Sequence, residues 1–548
     1  MAPDLYGRNL SELGRVVQRT LADPEAVALL QATGAQQRAY ATATTIAREQ
    51  AIARCVESQV RRLDAARVWP EAADAAVVRA EASLGRPLTA GQRGAVEAIL
   101  TSGRGVDLVV GVAGSGKTTA LAAARDAFEA AGYELVGTST SGQAARTLGR
   151  EAGIAQSRTL ASLNWRIAHD DLRLTPRHVA VLDEAAMTDD AALFAFLEAA
   201  RVTGTKVVMV GDHRQLSAVG PGGGFEALVS RFGGAVHVLT ENVRQVDPTE
   251  RTTLSHLRSG DVHAAVAWYA RHGRIAVSPD RDTALDATVA GWAADVAEGS
   301  HAAMYAWRRA NVAELNRRGR AAFEALGRLS GPELLVGATG YRAGDRIVTL
   351  APGAQGEVVT SECGTVLAVD VRHGDMVATM DDGRLQRFAD EDLDAVHLHG
   401  YAVTVHRAQG ATVARAHVLE DGGGRELAYV KMSRARERTM LYPVADDLEQ
   451  AVEDLGRSWS ASRRIGWAID RAVPSNDSMA VQAAKAKDLT VPANLRHARL
   501  VAEREALAAV IPPDPGWEYH RVERDVQRLQ FRLEALEKGD GWGELRGT

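Results

Sequence analysis

Short apolar runs alternate with amphipathic, helix-like stretches through the central part of the chain. Four such runs are DLVV (107–110), ELVG (134–137), HVAVL (178–182) and KVVMV (206–210), and each is followed by a stretch with helical periodicity. Short apolar strands that alternate with amphipathic helices are typical of a parallel sheet covered on both faces. The pattern therefore predicts an α/β domain over residues 86–245.

A second α/β block follows, and a segment of different character interrupts it. The run HAAMYAW (301–307) predicts a strand that enters a helix. Residues 337–395 instead carry short β segments separated by turns, and Asp382-Gly383 is a hairpin signal. We therefore predict a small β-barrel inserted into a second α/β domain, which consists of residues 246–336 and 396–470.

The two ends of the chain are predicted to be helical, and neither carries assignable chemistry. Residues 1–85 are rich in alanine and arginine, with apolar side chains at helical spacing (Ile46, Ile52, Val56, Val60 and Leu63). Residues 471–548 contain a short heptad seam at 522–536, for which a docked helix is favoured over a dimeric coiled coil. Both ends are expected to dock on the α/β domains or on a partner protein.

Composition narrows the functional classes. With 46% hydrophobic and 24% charged residues in 548, the chain is typical of a soluble globular protein of several domains. Its formal net charge of −6 provides no overall basic field, so any nucleic-acid groove must be local. Cys55 and Cys363 are too few for a disulfide framework. No apolar run approaches the roughly 18 residues that span a bilayer. We expect a cytoplasmic protein with no membrane partner.

The strongest chemical signal is a glycine-rich loop. Residues 111–118, GVAGSGKT, fit GxxxxGK[ST] between an apolar strand and a helix. Such a loop lets backbone N–H groups surround a phosphate at a helix N-terminus, while the lysine reaches the β- and γ-phosphates of ATP. The Thr118 hydroxyl is expected to bind Mg²⁺. The predicted nucleotide-binding residues in and beside this loop are Gly111, Gly114, Ser115, Gly116, Lys117, Thr118 and Thr119.

An acidic pair follows at the spacing expected of a Walker B motif. The strand His178 to Leu182 ends in Asp183-Glu184. Asp183 is expected to hold the Mg²⁺ ion, and Glu184 to orient or deprotonate the attacking water. An acidic pair at a strand end is usually a solvated turn, but the preceding glycine-rich loop favours the functional interpretation. The glutamate favours ATP hydrolysis over phosphoryl transfer to another substrate.

Three polar residues in other segments are predicted to complete the nucleotide site. Gln215 lies after the apolar run KVVMV (206–210), where its amide can bind the γ-phosphate and report its loss. Arg244 lies in LTENVRQ, and Arg434 follows the run 427–432, which is predicted as a strand. Arginines from two distant segments suit a cleft whose charge is completed by a second domain. Because arginine is abundant, either one alone is equally well explained as a solvated surface residue.

These motifs together resemble a known family. The ordered set LTAGQ, GVAGSGKTT, GTSTSGQAA, VLDEAAM, GDHRQL, VRQ, TVHRAQGATV and YVKMSRARE is similar to the superfamily 1 DNA helicases of the RecD/Dda class. It most closely resembles the helicase portion of MobF-type conjugative relaxases of actinobacteria (TraA/TraI/TrwC-like), over about residues 86 to 445. The resemblance implies two RecA-like P-loop motor domains, an SH3-like β-barrel in the second, and ATP-driven 5′-to-3′ translocation on single-stranded DNA.

The resemblance also implies roles for individual residues. Gln92 is expected to recognise adenine. Gln215, Arg244 and Arg434 are expected to sense the γ-phosphate across the domain interface. Motifs that couple the DNA track to the nucleotide site contain Thr138, Thr140, His406, Gln409 and Gly410. Trp165 and Trp307 are candidates for base stacking, although a buried core tryptophan is an equal or better interpretation of both.

One departure from the relaxase pattern affects the predicted pathway. Relaxases of this type carry, before the helicase, a nicking domain with N-terminal tyrosines and a three-histidine metal site. Here the first histidine is His169, beyond the glycine-rich loop. We expect that this chain does not nick DNA by that mechanism. It is then the helicase half of a split or truncated relaxase, with a relaxase or relaxosome protein supplied by another chain, or an independent helicase of a mobile element.

Two other functional classes stay open. One is a replication or repair helicase of the RecD-like class outside conjugation. The other is a nucleotide-switched DNA-binding scaffold that does not unwind DNA, which the presence of all the nucleotide-site motifs disfavours. A small-molecule kinase is disfavoured further, because it has no use for the second α/β block and the inserted barrel.

Overall fold

The structure is a computed structural model that describes residues 39–471, apart from residues 219, 354–357, 390–391, 394–395, 397 and 465, and also residues 18–19, 23 and 26–29. Its strands, numbered in chain order, are β1 Ala26–Leu29, β2 Ala39–Thr42, β3 Val106–Gly111, β4 Glu134–Ser139, β5 Gln156–Thr159, β6 His178–Asp183, β7 Lys206–Gly211, β8 Val236–Leu239, β9 Ala302–Ala306, β10 Ser330–Val336, β11 Thr339–Ala343, β12 Arg346–Val348, β13 Cys363–Asp370, β14 Asp375–Met380, β15 Leu385–Phe388, β16 Leu398–His399, β17 Ala402–Thr404, β18 Val413–Leu419 and β19 Ala435–Tyr442.

The α-helices are Ala43–Arg61, Pro70–Leu84, Ala90–Thr101, Lys117–Ala130, Gly142–Glu151, Leu160–Ala168, Asp190–Thr203, Gly224–Arg231, Pro248–Ser259, Val262–Arg271, Arg281–Ala297, Arg309–Ala325, Gly424–Met432 and Leu448–Ser460. Within the described ranges, no helix is long and apolar enough to cross a membrane.

The first α/β unit is built on a six-stranded parallel sheet in the order β5-β4-β6-β7-β3-β8. Alternate side chains of the four central strands β4, β6, β7 and β3 enter two separate cores, as Leu108 and Val109 of β3 do. A strand whose two faces are both covered becomes a continuous apolar run, because neither set of alternating side chains meets water. The short apolar runs therefore predict these four strands, whereas the edge strands β5 (QSRT) and β8 (VHVL) lie outside the runs.

The second α/β unit has a four-stranded parallel sheet in the order β17-β9-β18-β19. A separate five-stranded antiparallel sheet, in the order β15-β14-β13-β12-β16, lies between β9 and β17 in the sequence, together with the hairpin β10-β11. The turn at Asp382-Gly383 joins β14 to β15, as predicted, and Gly383 has φ +88°. The SH3-like classification and the domain boundaries stay predictions.

The structure corrects two predictions of secondary structure. The run 427–432 is part of the helix Gly424–Met432 and not a strand. Every side chain from Leu427 to Met432 is buried, so the run shows no amphipathic period, and a short buried helix cannot be distinguished from a buried strand by pattern alone. Near the N-terminus, β1 and β2 form an antiparallel pair in a region predicted as helical. The predicted seam at 522–536 lies outside the described residues.

Segments from both ends of the described chain complete the core of the first unit. The helix Ala43–Arg61 buries Ile52 and Val56 against the sheet, whereas Leu63 lies beyond the helix and is 62% exposed. Trp467, which follows the whole second unit in sequence, is buried in the same core. Its Nε1 donates to Asp190 Oδ2 at 3.0 Å, and the next two main-chain N–H groups donate to the carboxylate of Glu49.

We expect the variant Asp190→Asn to depend less on pH for its stability. Burial, and then Glu49, raise the pKa of Asp190 from 3.8 to about 7. The stability linked to this proton is therefore fully present below the unfolded-state pKa and is lost as the pH rises through about 7. Denaturant unfolding gives the free energy of unfolding of each protein at roughly pH 5 and roughly pH 8, and the difference between the two values measures the pH dependence. An equal difference in wild type and variant would contradict the assignment.

Candidate nucleotide site and nucleic-acid cleft

The predicted phosphate-binding loop joins β3 to the helix Lys117–Ala130. Gly114 and Gly116 have φ of +77° and +73°, a region that L side chains rarely adopt. A Cβ atom on Gly111 would lie 2.5 Å from Cγ of Lys117, so the lysine stem crosses directly over this glycine. The Lys117 ammonium donates to the Gly111 carbonyl at 3.1 Å. The loop therefore has the tight backbone and the positive charge that a polyphosphate requires.

Gln92 contacts this loop from the preceding helix. Its Nε2 donates to the Ser115 carbonyl at 2.8 Å, and its Oε1 accepts from the Thr89 main-chain N–H at 3.1 Å. The side chain is fully buried, and a Cβ atom on Gly116 would lie 2.2 Å from its Nε2. The structure thus shows Gln92 bracing the loop, and its role in adenine recognition stays a prediction.

The acidic pair lies at the end of β6, beside the loop. Burial, and then the neighbouring Glu184 carboxylate, raise the pKa of Asp183 to about 7, while Lys117 opposes the shift. Glu184 has φ +52°, a conformation that costs a non-glycine residue free energy and is enriched at functional sites. The strain and the concentrated negative charge make the end of β6 a candidate site of chemistry.

The residues around the loop fit a nucleotide with Mg²⁺. The Ser115 hydroxyl is buried and has no hydrogen-bond partner among the described residues, as expected of a group that a phosphate would satisfy. Thr118 and Asp183 offer the hard oxygen donors that Mg²⁺ prefers. Within the described ranges, no group of three or more His, Cys, Asp or Glu side chains could hold a metal.

Gln215 lies in a buried polar cluster behind the loop. Its Nε2 donates to Asp212 Oδ2 at 3.4 Å, and Arg258 binds the same carboxylate, with Nη2 2.9 Å from Oδ1. Burial alone would raise the pKa of Asp212, but the charge of Arg258 outweighs it and lowers the pKa below its ordinary value. Arg258 comes from the helix Pro248–Ser259, so this ion pair joins the two α/β units.

The two predicted arginine sensors lie next to each other. Arg244 Nη1 donates to the Ser433 carbonyl at 3.0 Å, and burial, followed by the charge of Arg434, lowers the pKa of Arg244 to about 10. Arg434 is 2% exposed, and its Nε donates to the Val430 carbonyl at 3.0 Å. Arg244 lines the cleft described below, whereas the buried Arg434 does not.

A cleft of about 530 Å³ opens between the two units and the antiparallel sheet. Its lining includes Lys117, Thr118, Asp183, Glu184 and Arg244, and on the opposite side Tyr305, Tyr401, Arg407 and Gly410. Five predicted nucleotide-site residues and Gly410 thus face one cavity.

The predicted DNA contacts are in different environments. Thr138 is fully buried and Gln409 is half-buried, and the Thr138 hydroxyl and both polar atoms of the Gln409 amide lack partners among the described residues. Thr140 is half-buried, and His406 is exposed. Their contact with DNA stays a prediction.

The two candidate tryptophans differ in exposure. Trp165 is 57% exposed, with its ring stacked on His169 at a centroid distance of 4.3 Å, so it is not a core residue. Trp307 is half-buried against the core of the second unit, and the guanidinium of Arg463 lies 4.8 Å from its ring centroid. Trp165 is therefore the better placed of the two to meet a base.

Sequence analysis missed several residues that connect the units. Gln245 Nε2 donates to the carbonyls of Ser433 and Ala435. Within the first unit, the Val243 main-chain N–H donates to the Gly114 carbonyl. The hydroxyl of Tyr429 accepts from the Ala113 main-chain N–H. Gln245 and Tyr429 both lie within matched motifs, VRQ and YVKMSRARE, but a motif does not indicate which member crosses to another unit.

The fold and the site define a helicase-like P-loop protein. Residues 87–280 match the family model described as AAA domain. The chain is 35% identical over 383 residues to conjugal transfer protein TraA of Rhizobium radiobacter, which covers 68% of this chain and 34% of that protein. It is 28% identical over 352 residues to the ATP-dependent RecD2 DNA helicase of Deinococcus radiodurans, covering 62% of this chain and 47% of that protein.

Among solved structures, the Pif1 helicase from Bacteroides in complex with ADP-AlF3 and single-stranded DNA matches with a TM-score of 0.45 at 17% identity, covering 68% of this chain and 96% of that one. The chain is homologous to TraA proteins and to RecD2, which confirms the resemblance to the RecD/Dda class of superfamily 1 and its relation to TraA. The chain spans about a third of the length of the TraA relatives it matches.

Proposed function

We propose that this chain is an ATP-dependent DNA motor that moves 5′ to 3′ on single-stranded DNA and unwinds duplexes. The observation that carries the proposal is the cleft shared by Lys117 and Glu184 on one unit and Arg407 on the other. A nucleotide bound between two units can draw them together, and hydrolysis can release them. If each unit also grips DNA, this cycle moves the strand.

The proposed division of chemical work follows from the geometry. Lys117 would neutralise charge on the transferred phosphate, and Glu184 would orient the attacking water. Thr118 and Asp183 would hold Mg²⁺, which when bound supplies charge stabilisation to the phosphate oxygens. Arg244 faces the cleft and is the candidate for stabilising charge that develops in the transition state.

The direction and the pathway rest on the relatives. The 5′-to-3′ polarity follows from the resemblance to the RecD/Dda class. A role in conjugative transfer is supported by the TraA relatives, whose name states conjugal transfer. A cytoplasmic location and a relaxase or relaxosome protein as partner are proposed from the sequence and its resemblance alone. The RecD2 relative supports the alternative of a replication or repair helicase.

The decisive experiment is steady-state ATP hydrolysis with and without single-stranded DNA, at low salt because phosphate contacts weaken steeply with salt. Strong stimulation by the single strand supports a DNA-coupled motor, and unwinding of duplexes with 5′ or 3′ tails then tests polarity. Hydrolysis that ignores DNA, or no hydrolysis, would favour the nucleotide-switched scaffold.

The variant Trp165→Ala is expected to weaken binding of single-stranded DNA by about 1–3 kcal/mol, because a base loses its stacking surface. Fluorescence anisotropy with a labelled oligonucleotide measures the dissociation constant. The matched control is Trp69→Ala, since Trp69 is also exposed, at 73%, and is not among the predicted DNA contacts. Equal affinities of the two variants would remove Trp165 from the DNA site.

A further inference from the structure

A tyrosine hydroxyl of the second α/β unit binds the phosphate-binding loop. Tyr429 lies in the helix Gly424–Met432 and is 2% exposed. Its hydroxyl oxygen accepts a hydrogen bond from the main-chain N–H of Ala113, at 2.9 Å. Ala113 itself packs in the core of the second unit. The loop is thus attached to this helix by both a hydrogen bond and apolar contact.

The same hydroxyl belongs to the polar cluster behind the loop. Burial, and then the nearby Asp212 carboxylate, raise the pKa of Tyr429, so the hydroxyl lies beside the carboxylate that Arg258 binds. Gln215, the predicted γ-phosphate sensor, binds the other side of this cluster through Asp212 Oδ2. One hydroxyl therefore contacts the loop directly and lies one residue away from the sensor.

The helix that carries Tyr429 leads directly to the arginine pair. It ends at Met432, and Ser433 and Arg434 follow. The Ser433 carbonyl accepts from Arg244, and Arg434 is hydrogen-bonded back to Val430 of the same helix. Because a helix transmits displacement as a rigid rod over so short a distance, a shift at Tyr429 must also move Ser433 and Arg434.

We infer that Tyr429 is a positioning residue that couples the nucleotide site to the second unit. Its hydroxyl fixes the helix Gly424–Met432 to Ala113 of the phosphate-binding loop, so that a change at the γ-phosphate moves the unit that carries the opposite wall of the cleft. The inference rests on the proposed function, because it assigns the route by which ATP hydrolysis responds to DNA. Tyr429 does not line the cleft, and its effect is indirect.

The variant Tyr429→Phe tests this, because it keeps the ring and removes only the hydroxyl. We expect the factor by which saturating single-stranded DNA raises kcat for ATP hydrolysis to fall about tenfold, the size expected when a buried donor loses its partner. The KM for ATP and the hydrolysis rate without DNA should stay within about twofold. Full stimulation in the variant would overturn the inference.

The matched control is Tyr442→Phe. Tyr442 is also a buried tyrosine of the second unit, but its hydroxyl contacts His417, at 2.8 Å, and not the loop. Its removal should leave the DNA stimulation unchanged. If both variants lose stimulation equally, with equal loss of thermal stability, the role of Tyr429 is structural and the inference is wrong.

A second measurement separates failure of this inference from failure of the proposed function. Hydrogen exchange with and without ATP and Mg²⁺ follows residues 424–432 and 111–118 independently. In wild type, both segments should gain protection on binding ATP. In Tyr429→Phe, the gain at 424–432 should disappear while that at 111–118 persists. If wild type does not hydrolyse ATP, the motor proposal fails. The exchange comparison still tests the inference on Tyr429: equal gains of protection at 424–432 in wild type and variant, or no gain in either, would overturn that inference.

Discussion

Replacement of Lys117 by alanine is expected to lower kcat for ATP hydrolysis by about 10² to 10³, the loss typical of removing one preorganised group that stabilises transition-state charge. The ammonium lies at the start of the helix Lys117–Ala130, and Lys117 lines the cleft with Asp183 and Glu184. Without it, the phosphates of ATP would face two carboxylates with no nearby lysine to balance them. Single-turnover and steady-state hydrolysis measure the effect.

A second substitution distinguishes charge from packing. The stem of Lys117 crosses Gly111, so alanine leaves a gap there that Lys117→Met fills. Both variants should be equally inactive and should retain weak binding of single-stranded DNA. Hydrolysis at the wild-type rate in either variant would show that the ATP site is not at this loop.

Replacement of Trp467 by alanine is expected to lower the free energy of unfolding by about 3–5 kcal/mol, as for other large core aromatic residues. The indole is 1% exposed, donates to Asp190, and has the Arg231 guanidinium 5.3 Å from its ring centroid. The variant removes packing and a buried hydrogen bond together. Denaturant unfolding monitored by circular dichroism measures the loss.

Trp69→Ala is the matched control, because Trp69 is 73% exposed and its loss should cost less than about 0.5 kcal/mol. The location of Trp467 makes the test specific. This residue follows the second unit in sequence but packs in the first, so its loss should destabilise the first sheet. Equal stability of Trp467→Ala and Trp69→Ala would mean that the segment is not docked in solution.

The grouping of the candidate nucleotide-site residues in one cleft could be predicted because these residues lie in short contiguous motifs. Lys117 and Thr118 follow the glycines of one loop, and Asp183 and Glu184 end one apolar strand, so local spacing and strand order bring them to the same edge of a parallel sheet. The exposure of Trp165 could not be predicted, because a tryptophan on a short helix is equally compatible with a core and with a surface position.

The sequence by itself determined that strands and helices alternate in the first unit, that β segments interrupt the second, and that a hairpin lies at Asp382-Gly383. It also indicated the candidate nucleotide-site residues that belong to motifs. Each of these depends on interactions between neighbours in the chain. Only the tertiary structure decided that the run 427–432 is a helix, that Tyr429 bonds to Ala113, and that Trp467 completes the first core. The contacts of Tyr429 and Trp467 join residues separated by hundreds of positions. Burial of the run 427–432 on all sides removes the periodicity that would have indicated a helix.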